Sequence, residues 1–159
     1  MIHDLCVKTE DGVLNIRVGA IIMKGERFLM VENDIFDHMY SVGGRIKFGE
    51  TAREAVIREV YEETGVKMEI DRLGFIHENF FLGDTLEKKD NIVYEISFFF
   101  YMKVPDDFEP ACESFTEDGA KERLVWIKAD HNKKYYPEFF KTELANPSNE
   151  VKHFVTRDV

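Results

Sequence analysis

Cysteine is nearly absent from this chain: Cys6 and Cys112 are the only two, far apart and without a CxxC or paired-histidine pattern. That excludes a disulfide framework and a structural zinc site, and it fits a reducing compartment. Long apolar runs are missing as well, so no segment approaches the roughly 20 residues that span a bilayer. The opening Met1-Ile2-His3-Asp4 has no basic region backed by an apolar stretch. Neither export nor membrane insertion is predicted, and the expected location is cytoplasmic. Basic residues are in deficit, 21 Lys and Arg against 31 Asp and Glu for a net charge of −10, which argues against broad binding to nucleic acid or anionic lipid. No repeat, low-complexity tract or linker interrupts the sequence, so residues 1–159 are expected to form one domain.

What the chain does have is a core-forming composition, 44% hydrophobic and 13% aromatic, and one dense stretch from Gly44 to Val66. Thr51 followed by Glu54 reads as a capping box, in which each side chain satisfies a backbone N–H at the start of a helix. Gly65 can take the left-handed conformation that ends a helix, so the spacing predicts a helix from Ala52 to Thr64.

On a wheel of 100° per residue, Glu59, Glu62 and Glu63 fall on the same half as Ala52, Ala55, Val56 and Val60. Arg53, Glu54, Arg58 and Tyr61 fall on the other half. Three glutamates near the carbonyl end of a helix repel its dipole and one another. Their repulsion raises a carboxyl pKa unless a cation neutralises the cluster. Hard divalent ions, Mg2+ or Mn2+, prefer such oxygen ligands, and they also let an acidic protein hold phosphates. The bland alternative, a solvated acidic strip, is the usual fate of a Glu-rich helix, but here the acids share the apolar face.

Gly44, Glu50 and the run Arg58-Glu59-Val60-Tyr61-Glu62-Glu63-Thr64-Gly65-Val66 fill every fixed position of a known signature. The chain thereby resembles the Nudix hydrolases from about Leu14 to Ala145. The resemblance implies an α/β fold, a Nudix-like α/β/α sandwich with a mixed sheet. It also implies metal-dependent hydrolysis of a pyrophosphate bond in a nucleotide-type small molecule, a nucleoside diphosphate linked to another group. Carried over by position, Glu59, Glu62 and Glu63 are the metal-binding or proton-accepting set, and the carbonyl of Gly43 is a further metal ligand. Glu50 and Arg58 are assigned to supporting the loop and helix, with Arg58 also able to orient a catalytic glutamate. Glu54 is assigned to capping. A catalytically silent nucleotide-sensing or protein-binding domain is the competing reading, and a homodimer is left open.

Relatives often add an acid from a loop outside the box. The candidates here are Glu113, Glu117, Asp118 and Glu122, with Glu117 preferred because it precedes Asp118-Gly119 in a loop able to fold over the helix. Arg45 and Lys47, in the Gly-rich turn, are phosphate-binding candidates, with Arg17 and Arg27 weighed beside them. Tyr40, Phe36 and Phe80 are weighed as base-stacking residues against ordinary packing. Val42 stands where many members have proline before the double glycine, and markers for ADP-ribose, dinucleoside polyphosphate, NADH and coenzyme A substrates are missing.

For the remainder, strands are expected near residues 2–9, over Leu14–Met23 as a central strand, and over Arg27–Glu32 as its hairpin partner. Further strands are expected within Lys67–Phe81, Ile92–Val104, Glu122–Ala129 and Val151–Thr156. A second helix is expected over Glu138–Ala145 between Pro137 and Pro147. Phe98-Phe99-Phe100-Tyr101 is read as core.

Overall fold

The continuous apolar run Val18–Met23 demands burial on both faces, and the strand that carries it lies inside the sheet. The computed structural model describes residues 1–83, 91–110 and 121–159 and the backbone of 114–115. Its elements are β1 (Cys6–Lys8), β2 (Val13–Ile21), β3 (Met23–Lys24), β4 (Arg27–Asn33), β5 (Met39–Arg45), α1 (Ala52–Thr64), β6 (Glu69–Leu82), β7 (Ile92–Lys103), β8 (Ser114–Phe115), β9 (Lys121–Ile127), β10 (Tyr135–Tyr136), α2 (Phe140–Glu143) and β11 (Lys152–Arg157). The sheet runs β11-β6-β7-β2-β5-β4-β9-β8, with β1 beside β2, β10 beside β5 and β3 beside β4. It is mixed: β2 with β7, β6 with β11 and β5 with β10 are parallel, while β2 with β5, β6 with β7 and β4 with β9 are antiparallel.

Helices cover both faces. On one, α1 packs Ala55, Val56 and Val60 onto Val18, Ala20, Ile22, Leu29, Val31, Val42, Phe100 and Met102. On the other, α2 brings Phe140 and Leu144 onto Ile21, Phe28, Met30, Met39, Phe75, Phe99 and Tyr101. Each side chain of this size contributes about 1.5–3 kcal/mol when fully buried. Strand alternation explains the division, since Phe99 and Tyr101 face α2 while Phe100 and Met102 face α1. The aromatic run is core, as its composition suggested.

The capping box forms: Thr51 Oγ1 accepts from the Glu54 amide and Glu54 Oε1 accepts from the Thr51 amide, both at 3.1 Å. At the other end Gly65 has φ 76°, and its N–H reaches the Tyr61 carbonyl at 2.8 Å. Only glycine takes that conformation without strain. α1 therefore begins and ends where its sequence says.

Three expectations are corrected. The hairpin predicted between Leu14–Met23 and Arg27–Glu32 shrinks to the short β3–β4 pair, because β2 spends its edges on β5 and β7. The first strand covers Cys6–Lys8 rather than 2–9, and the second helix is a single turn, Phe140–Glu143, rather than Glu138–Ala145. In both places packing against the sheet, not local pattern, sets the limits. Among the described residues no helix is long and apolar enough to cross a membrane.

Replacing Thr51 by alanine removes one half of the capping box at an exposed position. We expect a loss of about 1 kcal/mol in urea unfolding with an unchanged m-value; an unchanged midpoint would show that the cap does not hold the helix.

Candidate active site

The loop between β5 and α1 is tied to the helix by one guanidinium. Arg58 Nε and Nη2 donate to the two oxygens of Glu50 at 2.6 and 2.9 Å, and Nη2 also donates to the Arg45 carbonyl at 3.1 Å. Its Nη1 donates to Glu59 at 2.9 Å and to Glu62 at 3.3 Å. Glu50 in addition accepts the Lys47 amide at 2.9 Å. The Arg58 bonds hold the Glu50 carboxyl below its ordinary range, and the Glu50 bond raises Arg58 further.

This arrangement differs from the helical wheel. Arg58, placed on the outward half, is 23% exposed and lies under the loop, whereas Glu62, placed on the apolar half, is 53% exposed and turned to Arg58. The wheel fixes where Cβ points but not where a long charged side chain ends. An i,i+4 pairing with Arg58 draws Glu62 away from the sheet.

Glu59 and Glu63 lie inward, against the double glycine. A Cβ on Gly44 would overlap the Glu59 carboxylate, so glycine is needed there for space. The Gly43 amide donates to Glu63 Oε2 at 3.2 Å. Burial raises the Glu59 carboxyl, against the pull of Arg58. Burial, followed by the charges of Glu59 and Glu122, pushes Glu63 up to about 8.

Glu122 comes from across the sheet. It opens the part of β9 that pairs with β4, opposite Asn33, and accepts the Tyr40 hydroxyl at 3.0 Å. Burial, with the Glu122 charge adding to it, raises the Tyr40 hydroxyl well above its usual value, so Tyr40 stays a donor. It is thus a hydrogen-bonding residue rather than a stacking platform. Of the loop acids named from sequence, Glu113, Glu117 and Asp118 lie outside the described residues; Glu122 is the one brought near Glu63. The sequence signal for it was weak, because only the β4–β9 pairing makes it a neighbour.

Two arginines stand on the strands beneath, on the sheet face turned away from α1. Arg17 of β2 stands opposite Arg45 of β5, and its charge offsets a small part of the rise in Glu59 and Glu63. Arg45 also lies 4.0 Å from Asp4. Lys47 sits in the loop beside Glu50. Arg27 instead lies over Trp126 at 5.3 Å, Phe80 stacks on Tyr94 at 4.3 Å, and Phe36 meets Tyr40 edge-on at 6.3 Å. These three take part in packing.

The NUDIX domain family model matches residues 13–145. The chain belongs to the NUDIX domain family. With membership goes the enzyme class, a hydrolase of the Nudix type. Among solved structures, a MutT protein from Bacillus halodurans is 20% identical with a TM-score of 0.66, over 91% of each chain. An ADP-ribose pyrophosphatase from Streptococcus suis 89-1591 is 17% identical with a TM-score of 0.56, over 89% of this chain and 98% of that one. A UDP-X diphosphatase is 17% identical with a TM-score of 0.57, over 88% of this chain and 66% of that one. At these identities the likeness is one of fold, and it confirms the α/β architecture with a mixed sheet. No curated protein matches the sequence.

Divalent metals are general in Nudix enzymes, and the donor set here suits one. Glu59, Glu63 and Glu122 offer hard oxygen donors, and among the described residues Glu63 has no cationic partner in hydrogen-bond contact, which is the deficit a divalent ion removes. Among the described residues no three acidic, histidine or cysteine groups converge in finished ligand geometry, since Arg58 holds Glu59 and Glu62.

A carboxyl that binds its proton more tightly when folded makes the native state take up protons relative to the unfolded chain. Its contribution therefore weakens as pH rises from the ordinary 4.5 towards about 8. Glu63→Gln removes that cost. Without added metal we expect the variant to gain stability over the parent across this window, by a few kcal/mol at about 1.4 kcal/mol per pKa unit. Magnesium should stabilise the parent increasingly over the same window and the variant little. Parallel pH profiles in thermal unfolding would refute the assignment.

Proposed function

We propose that the protein hydrolyses a pyrophosphate bond in a nucleoside diphosphate linked to another moiety, with Mg2+ or Mn2+ as cofactor. One observation carries the reading: two inward glutamates, Glu59 and Glu63, stand on the double glycine, within reach of the charge of Glu122 at Glu63 and of Arg17 at both. Acids alone would repel a phosphate chain, and arginines alone would bind it without supplying a nucleophile. Similarity to proteins named as an ADP-ribose pyrophosphatase and a UDP-X diphosphatase supports a diphosphate linked to another group.

In this reading Glu59 and Glu63, with Glu62 and the Gly43 carbonyl, would hold the cation. The cation, when bound, lowers the pKa of water and offsets charge building on the phosphoryl oxygens. Arg17 and Arg45 place the diphosphate against the glutamates, and Lys47 stands at the rim. Arg58 is a positioning residue: its bonds fix the Glu59 carboxylate and keep the loop on the helix. Glu122, held at Oε2 by Tyr40, takes the proton of the attacking water.

The silent, nucleotide-binding reading draws on the lack of finished ligand geometry among the described residues. Turnover separates the two. Nucleotide sugars, ADP-ribose and modified nucleoside triphosphates are incubated with magnesium or manganese and the products identified. We expect release of a nucleoside monophosphate or of pyrophosphate, a loss of several orders of magnitude in kcat for Glu63→Gln, and a loss of roughly 10²–10⁴-fold for Glu122→Gln. Binding without turnover, unchanged by Glu63→Gln, would favour the silent domain.

A further inference from the structure

The sheet ends on two unlike edges. At one, β8 is only two residues long. At the other, β11 runs in unbroken parallel register with β6 and has no strand on its far side among the described residues. Open strand edges are templates for pairing, and folds usually blunt them by shortness, proline, a bulge or outward charge. β11 has neither proline nor bulge. Its basic side chains are engaged within the chain: Lys152 Nζ donates to Glu143 at 2.6 Å, His153 Nε2 lies 2.7 Å from Glu78, and the Arg157 guanidinium lies 4.1 Å from the Phe80 ring centre. Val151, Val155 and Val159, at every fourth position and so on one face, are 54%, 57% and 46% exposed.

The backbone phase of this open edge follows from one bond. The Asp158 amide donates to the Phe80 carbonyl at 2.9 Å, so Asp158 and, by alternation, Thr156, Phe154 and Lys152 turn their N–H and C=O towards β6. His153, Val155 and Arg157 turn theirs outward. In an antiparallel pair two such residues face each other and exchange both bonds, so a second β11 fits only in registers that set these outward residues against one another. Side chains distinguish the registers. Centred on Val155, the run Val-Lys-His-Phe-Val-Thr-Arg-Asp-Val sets Val151 against Val159, Lys152 against Asp158 and Val155 against itself. Centred on Phe154, it sets Glu150 against Asp158 and Val151 against Arg157; centred on Thr156, it sets Phe154 against Asp158 and Val155 against Arg157.

We propose that β11 is the surface through which a second copy of this chain joins, antiparallel, with the two-fold axis at Val155. Such an interface is isologous, so each favourable pair is made twice. Backbone bonds extend the sheet from one copy into the other, the valines form an apolar line along one face, and Lys152 of one copy meets Asp158 of the other on the opposite face. The remaining cross-strand pair, His153 against Arg157, brings two basic groups together. Glu78 answers it: it stands beside Val155 in register on β6, is bonded to His153 and acts by charge on Arg157. The dimer is independent of the hydrolytic reading, because α1 and its glutamates pack towards β2 and β5, and β6 and β7 separate those strands from β11.

The test is sedimentation equilibrium on the parent, Val155→Pro, Val155→Lys and Asp158→Lys. We expect the parent to reach twice the 18.6 kDa chain mass between about 1 and 100 μM. Val155→Pro removes an outward N–H that β6 does not use, which an edge strand tolerates, and Val155→Lys sets like charges face to face at the axis. Each should weaken the dimer at least about tenfold with unchanged far-UV circular dichroism. Asp158→Lys, at an exposed position, should weaken it by meeting Lys152 and preserves the test if the proline variant fails to fold. Register is read by cross-linking in a chain whose Cys6 and Cys112 are changed to serine. Oxidised Val155→Cys should give a covalent dimer, since residues so paired have Cα atoms about 5.5 Å apart. His153→Cys, roughly 14 Å from its counterpart at about 3.3 Å per residue, should not. A monomer throughout the range, an assembly larger than a dimer, a dimer that the folded variants keep, or cross-linking through His153→Cys and not Val155→Cys would overturn the proposal.

Discussion

The site depends on the guanidinium of Arg58. Its five donor groups are spread over Glu50, Glu59, Glu62 and the Arg45 carbonyl, so a single side chain fixes both ends of the loop between β5 and α1 to the body of the helix. The loop then has little freedom where it leads into the capping box at Thr51, and the double glycine is held over Glu59. Lysine, a single point charge on a flexible stem, cannot make this fork. Partly buried ion pairs of this kind are stabilising only when every partner is present, which ties the sequence requirements at 44, 50, 58 and 59 to one another.

The same guanidinium creates an asymmetry among the glutamates. Glu59 and Glu62 receive its charge, while Glu63 receives one backbone amide and the repulsion of Glu59 and Glu122. The charge deficit is therefore local. It lies where α1 packs on β5, and glycine at 44 leaves room there for the Glu59 carboxylate. A cation entering there meets ligands that the protein has left under-neutralised, whereas one near Glu62 would compete with Arg58.

How much of this could be read from sequence follows from how local each feature is. The capping box, the Gly65 stop and the aromatic run of β7 depend on neighbours in sequence, and each appears where expected. The orientation of Arg58 and Glu62 was misjudged because side-chain reach, not helical phase, decided it. The β2–β4 hairpin was misjudged because two short-range partners looked better than the distant β7 and β5. Glu122 was named from sequence only as one of four loop acids, with Glu117 preferred, because nothing local singles it out and the pairing of β4 with β9 is what brings it near Glu63.

The pairing of β2 with β5 and β7 explains why one strand can have two unlike faces. In β2, Ile16, Val18 and Ala20 face α1 and supply the packing that holds the helix, while Asn15 and Arg17 face the other way into a polar, buried strip. Alternation gives each face its own composition, so a change at Asn15 need not disturb the bed on which Glu59 and Glu63 rest. Apolar residues in place of the strip would make a more stable sheet, since the Asn15 amide oxygen is buried there without a hydrogen-bond partner among the described residues, which is a cost.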